Sequence, residues 1–214
     1  MIRVSCYIDG FNLYHSIDDM NRATRGALNH LKWLDLKKLM AVFTDPSVHQ
    51  IDSIKYFSAY ATWKPDQHER HQIYVKALQS IGISVILGQF KEKDIYCPGC
   101  KLIHKGHEEK ESDVNIAVQL IGDAYTDKFD QAFIVSRDSD LSGPIRYIRQ
   151  HFPKKKVKII APPHRRHSKE LWALANSQAS ISQIHLERCQ LDQTVSDAKG
   201  DKVCTRPNAY DPKT

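Results

Sequence analysis

The chain has no apolar run of about 18 residues, the length a helix needs to cross a bilayer. Its first hydrophobic stretch, VSCYI, is short, stops at Asp9 and is preceded by the single charge of Arg3. A cleavable leader is therefore not expected, and neither is a membrane partner; the expected location is the cytoplasm. Internal repeats are absent, which excludes a solenoid. Cysteine is scarce, odd in number and unevenly spread: Cys6, Cys97, Cys100, Cys189 and Cys204. Such a set suits reduced thiols, not a disulfide framework. What is present is ample apolar material. Hydrophobic residues make up 41% of 214, enough for one domain with a real core. The formal net charge of +6 favours polyanionic partners, because Lys and Arg displace counterions from phosphates.

Short apolar strands alternate with amphipathic stretches. Strands are expected over 3–9, 51–60, 83–90, 132–136, 157–161 and 181–186. Helices are expected over 11–20, 34–43, 66–81, 113–125, 141–150 and 168–176, the last with Ser168 as N-cap. Residues 91–109 break the pattern with charge, Cys and His. After Cys189 the chain turns polar and irregular. The alternation implies βαβ units, hence a mainly parallel sheet covered on both faces. One domain over 1–190, carrying an insert at about 91–109, and a polar C-terminal tail over 191–214 that can bind a partner are expected.

Carboxylates recur at the strand ends of this scheme. Asp9 follows VSCYI, Asp138 and Asp140 follow AFIVS, and Asp113 opens the helix before that strand. Open parallel sheets place their crevice at the carboxyl ends of the strands. Acids gathered there repel unless a cation neutralises them, and oxygen ligands select hard ions such as Mg²⁺ or Mn²⁺. Each acid also has a structural alternative. Asp9-Gly10 can be a turn, Asp113 a first-turn acid, and Asp140 a cap for the helix at Leu141.

Three ordered segments, YIDGFNLY, EKESDVNIAVQLIGDAY and FIVSRDSDLSGPIRYI, resemble the NYN domain, a branch of the PIN-like nucleases, and most of all its LabA-like bacterial members. KVKIIAPP and SKELWALA add to the resemblance, which spans residues 3–190. It implies a PIN-like three-layer α/β/α sandwich and metal-dependent endoribonuclease activity through Mg²⁺ or Mn²⁺. Asp9, Asp113, Asp138 and Asp140 fall on the family's acidic positions. Asn12 falls on its Asn, where it can hold water or phosphate. Two positions depart from the family pattern. Arg137 replaces the glycine of S-G-D-S-D, where it either binds a phosphate or blocks access. Gln119 replaces a further acid, with Asp123 one turn beyond.

CPGCKLIHKGH gathers Cys97, Cys100, His104 and His107, a set able to supply four tetrahedral zinc ligands; a loop with reduced thiols or a redox pair is the alternative. HRRH follows the strand at 157–161, so Arg165 and Arg166 are candidates for RNA phosphates. Trp63, near Tyr60 and Lys64, is a candidate stacking platform. RNA is the expected partner, with DNA and a homodimer left open. A haloacid-dehalogenase-like phosphatase, with Asp138 as nucleophile, and a non-catalytic RNA-binding module are the competing readings.

Overall fold

IRVSCYID forms the first strand, β1 (Ile2–Asp9), and its last six residues are all buried. A strand covered on both faces reads as a continuous apolar run, which is why this segment shows no alternation. In a computed structural model describing residues 1–164 and 168–212, the chain continues through α1 (Gly10–Ala23), α2 (Leu36–Ala41), β2 (His49–Ser58), α3 (Pro65–Ser80) and β3 (Ser84–Leu87). A hairpin, β4 (Gln89–Tyr96) and β5 (Ile103–Lys110), comes next. It leads into α4 (Ser112–Tyr125), β6 (Gln131–Val135), α5 (Ser142–His151), β7 (Lys156–Ala161), α6 (Lys169–Leu174) and β8 (Ser177–Ser180). The chain closes with α7 (Gln183–Arg188), β9 (Thr194–Ser196) and β10 (Lys202–Thr205).

Six strands form one sheet in the order β3-β2-β1-β6-β7-β8, and every neighbouring pair is parallel. Val4, Cys6 and Ile8 pack with Leu13, Ile17 and Met20 of α1, with Leu39 of α2, with Leu78 of α3 and with Leu186 of α7. Tyr7 and Phe57 pack on the opposite side with Ile116 and Leu120 of α4, Ile145 of α5 and Leu171 of α6. The result is the expected α/β/α sandwich. From β1 the chain winds outward through β2 and β3, then returns to start again at β6 beside β1. The carboxyl ends of β1 and β6 therefore flank the switch point of the sheet, where a crevice must open.

Three expectations change. The stretch 83–90 is two strands, because the chain leaves the sheet at Gly88. A Cβ on Gly88 would stand 2.6 Å from the carbonyl oxygen of Lys110, so the hairpin's return strand packs against bare backbone. Residues 91–109 are thus mostly a regular antiparallel ribbon, not an irregular insert. The last sheet strand is β8, and 181–186 is split by Ser182, whose hydroxyl accepts the backbone N–H of His185 and caps α7. Finally, over its described part, 191–212, the C-terminal segment is not a free arm. Leu191, Val195 and Tyr210 are buried against Trp33 and Ala77, and the Trp33 indole N–H donates to the carbonyl of Asp192 at 2.9 Å.

Leu191→Ala is expected to lower the unfolding free energy by about 2–5 kcal/mol in urea denaturation, as for a buried leucine. A loss below about 0.5 kcal/mol, the value for an exposed site, would contradict the packing.

Candidate active site

Asp9 ends β1 and is also the N-cap of α1; it is 2% exposed. Its Oδ1 accepts the backbone N–H of Asn12 at 2.9 Å. Its Oδ2 accepts the Asn12 side-chain amide and, at 2.8 Å, the hydroxyl of Ser136. The residue between strand and helix has to be glycine. A Cβ on Gly10 would lie 2.5 Å from the Tyr56 ring and 2.6 Å from the Phe57 carbonyl oxygen.

The end of β6 meets this carboxylate. Ser136 is wholly buried, and while it donates to Asp9 its oxygen accepts the backbone N–H of Asp138 at 3.0 Å. Asp138 in turn accepts the N–H of Asp140 at 3.0 Å and caps the short turn Ser139–Leu141. The helix that follows, α5, has Leu141 at its N-cap with no side-chain capping bond, so Asp140 does not cap it. Arg137 donates from Nε to the Asn12 Oδ1 at 3.2 Å. Asn12 is thus engaged on both sides, by Asp9 and by Arg137. It helps to position the buried acid, and Arg137 braces Asn12.

The third wall comes from the hairpin and α4. Glu111 takes a left-handed conformation, φ 78°, at the junction of β5 and α4. This tight reversal brings Glu109 and Asp113 to the same crevice. The open space, about 1010 Å³, is lined by Asp9, Glu109, Asp113, Asp138 and Asp140 among others. Glu109 and Ser136 escaped the sequence reading. Glu109 sits in a charged run with no strand visible around it, whereas Ser136 stood within SRDSD as an unremarked small residue. Asp123 is remote in role: it accepts from the Tyr7 hydroxyl at 2.6 Å and pairs with Lys55.

Burial, followed by the fields of Asp9, Asp138 and Asp140, raises the Asp113 carboxyl to about 6. Burial also raises Glu109 to about 7, with Asp9 and Asp113 adding to the shift and a Ser112 hydrogen bond opposing it. Asp9 is raised as well, by burial first, against three hydrogen bonds that favour its charge. Burial is the main cause in all three, and the neighbouring acids add to it. A hard divalent cation is the compensating partner that oxygen donors select. Among the described residues no three of these carboxylates bring oxygens within 4.8 Å of one another. Their donor chemistry, oxygen only, is what Mg²⁺ takes, an ion that uses one or two carboxylates and commonly keeps several waters. The donor set therefore fits such an ion.

The Cys/His cluster divides. Sγ of Cys97, Sγ of Cys100 and a ring nitrogen of His104 lie within 4.8 Å of one another at the hairpin turn, with Cys100 Sγ 3.0 Å from His104 Nε2. His107 is not among them. On an extended strand, residues three apart face opposite ways, so the spacing suited to a helix separates the pair on β5. His107 instead stacks on Trp63, with centroids 3.6 Å apart and planes 6° apart. Arg165 and Arg166 lie outside the described residues. In the basic run before them, Lys155 pairs with Asp127 at 2.7 Å and Lys158 donates to the Phe43 carbonyl at 3.0 Å, so both serve packing.

A doubly wound parallel sheet with acids converging at its switch point defines a protein of the PIN-like α/β/α class. The NYN domain, a member of the PIN-like superfamily, matches residues 3–182, and the chain belongs to the NYN domain family. It is 27% identical to 6-hydroxy-3-succinoylpyridine 3-monooxygenase HspA of Pseudomonas putida, across 98% of this chain and 75% of that protein. A solved protein of unknown function from Vibrio parahaemolyticus shares the fold, with a TM-score of 0.57 and 23% identity, across 85% of this chain and 94% of that one.

The raised acids set a pH dependence. Unfolded Asp and Glu titrate near about 4, whereas Asp113 and Glu109 titrate near about 6 and about 7 in the native state. Between those limits these two carboxyls bind more protons in the folded chain than in the unfolded one, so their contribution to stability falls as pH rises from about 4 to about 7, while His71, held at about 4 by burial, contributes in the opposite direction. The urea midpoint of the wild type in EDTA, measured relative to the Glu109→Gln, Asp113→Asn double variant, is expected to fall as pH rises over that window. Equal slopes would contradict the shifts.

Proposed function

We propose that the chain is a metal-dependent ribonuclease that hydrolyses phosphodiesters in the acid crevice. The supporting observation is the convergence of Asp9, Asp113, Asp138 and Asp140, with Glu109, on one rim of an NYN domain. A divalent ion held by these oxygens supplies charge neutralisation and polarises the phosphate. The remaining work falls to the chain itself. Asn12, Ser136 and the Arg137 guanidinium fix Asp9 in one orientation. Asp138 orders the turn that carries Asp140. Glu109, facing the same space, in its ionised form takes one proton from water as the water oxygen joins phosphorus; the ester P–O bond breaks and the departing sugar oxygen takes a proton from solvent.

Asp138→Asn and Asp9→Asn are each expected to lower kcat/KM on single-stranded RNA by at least about 100-fold, the scale of losing charge stabilisation of several kcal/mol. EDTA should abolish cleavage by the wild type, and Mg²⁺ or Mn²⁺ should restore it. Circular dichroism verifies the fold of each variant. Cleavage by Asp138→Asn at the wild-type rate would refute the reading, as would no cleavage of RNA or DNA by the wild type with any divalent ion.

A second reading comes from the relative named for oxidation of a substituted pyridine. An aromatic cavity beside the acids, about 300 Å³, has room for one such ring. Conversion of a hydroxypyridine without RNA cleavage would favour it.

We also infer that the hairpin turn binds zinc through Cys97, Cys100 and His104, with the fourth corner left to water. Backbone and side-chain hydrogen bonds from Cys100, followed by the Gly99 N–H, hold the Cys97 thiol below its usual value, which favours the thiolate a metal needs. Purified protein is expected to carry about one zinc per chain by elemental analysis. Cys97→Ser should lose it and His107→Ala should keep it. Loss in both variants, or zinc-free wild type, would sink the assignment.

A further inference from the structure

A second cavity adjoins the acid crevice. It shares Phe11 and His107 with the crevice, so the two open on a common wall. Its volume is about 300 Å³, at the small end of ligand pockets (~300–1,000 Å³). That is space for one ring system and not for a base pair.

The walls are aromatic from several directions. Trp63 and His107 form a parallel stack, and Phe90 meets the Trp63 ring edge-on with centroids 4.8 Å apart. Tyr56 of β2 and Tyr74 of α3 close the interior, in a T-shaped pair 6.0 Å apart. A purely apolar cage would select no particular edge, but this one holds a polar pair. Ser58 Oγ lies 3.3 Å from His71 Nε2, both line the cavity, and Ser58 stands at the carboxyl end of β2. Burial lowers the His71 imidazole to about 4, so at neutral pH it is uncharged and offers both a donor and an acceptor.

Planar faces, a neutral polar edge and a wall shared with the acid crevice together match one nucleotide whose base is unstacked. We propose that this cavity holds a single nucleobase of a single-stranded RNA while a phosphate of the same nucleotide lies among the acids. The assignment rests on the nuclease reading above. It also redefines Trp63. The indole is not an exposed platform; with His107 it forms a wall between the cavity and the hairpin. The chain is thereby expected to require an unpaired nucleotide with its base intact.

The test has two arms. In the first, nucleoside 5′-monophosphates and ribose 5-phosphate are titrated against the intact protein, followed by tryptophan fluorescence. The nucleotides are expected to bind at least about tenfold more tightly than the sugar phosphate, the scale of one stacked base. Trp63→Ala and the cavity-filling Ala61→Phe should each remove most of that difference, with zinc content and circular dichroism unchanged. Equal binding of sugar phosphate and nucleotides would overturn the proposal, as would tighter binding of a free hydroxypyridine than of any nucleotide. In the second arm, RNA with one abasic nucleotide at the mapped cut is compared with intact RNA. Slower cleavage of the abasic strand, by about tenfold or more, is expected. Equal cleavage overturns the base pocket and leaves the nuclease reading standing. Base-dependent nucleotide binding without any RNA cleavage does the reverse.

Discussion

The carboxylate of Asp9, almost wholly out of water at the meeting point of β1, α1 and β6, is the constraint on which the site depends. A buried carboxylate is costly unless its lone pairs are met by donors. Here the donors come from both halves of the sheet: Asn12 from the first helix and Ser136 from the end of β6. Satisfying one charge therefore locks the two halves in register at the switch point. Ser136 then passes the order on to Asp138, and Asp138 to Asp140, through backbone N–H groups. The same hydrogen bonds that make the buried acid tolerable also aim the other acids.

The crevice is completed by an element outside the sandwich. The β4-β5 hairpin contributes Glu109 and rests on the body through the His107–Trp63 stack. The same ribbon carries a zinc-type ligand set at its turn and Glu109 at its base. The aromatic cavity lies against that same stack. Acid crevice, aromatic cavity and hairpin thus share a boundary, and His107 faces both spaces.

Much of this was legible in the residues. Buried strands such as VSCYI and AFIVS announce themselves as continuous apolar runs, and the acids following them fall on the rim by topology alone. Asn12 was legible as a site residue, although its partner was not, because nothing local shows that its amide turns back onto Asp9. Glu109 was missed and His107 misplaced for one physical reason. A polar two-stranded ribbon outside the core has no hydrophobic period to reveal it, and without the strand its side-chain directions cannot be read. The C-terminal segment failed similarly. Leu191, Val195 and Tyr210 are too sparse to form a pattern, and only the wholly buried Trp33 shows that something must cover it. Ser182 shows the opposite case, where a local capping hydroxyl outweighed a short alternation that read as strand.

The central claim is the proposed divalent-cation site among the carboxylates of the acid crevice. It is tested most directly by titrating Mn²⁺ into the protein at neutral pH and following free Mn²⁺ by electron paramagnetic resonance, with wild type beside Asp138→Asn. The account predicts saturable Mn²⁺ binding by the wild type that tightens as pH rises from about 5 to about 8 and is strongly weakened in the variant. Binding of equal strength in both proteins, or none in the wild type, would contradict it.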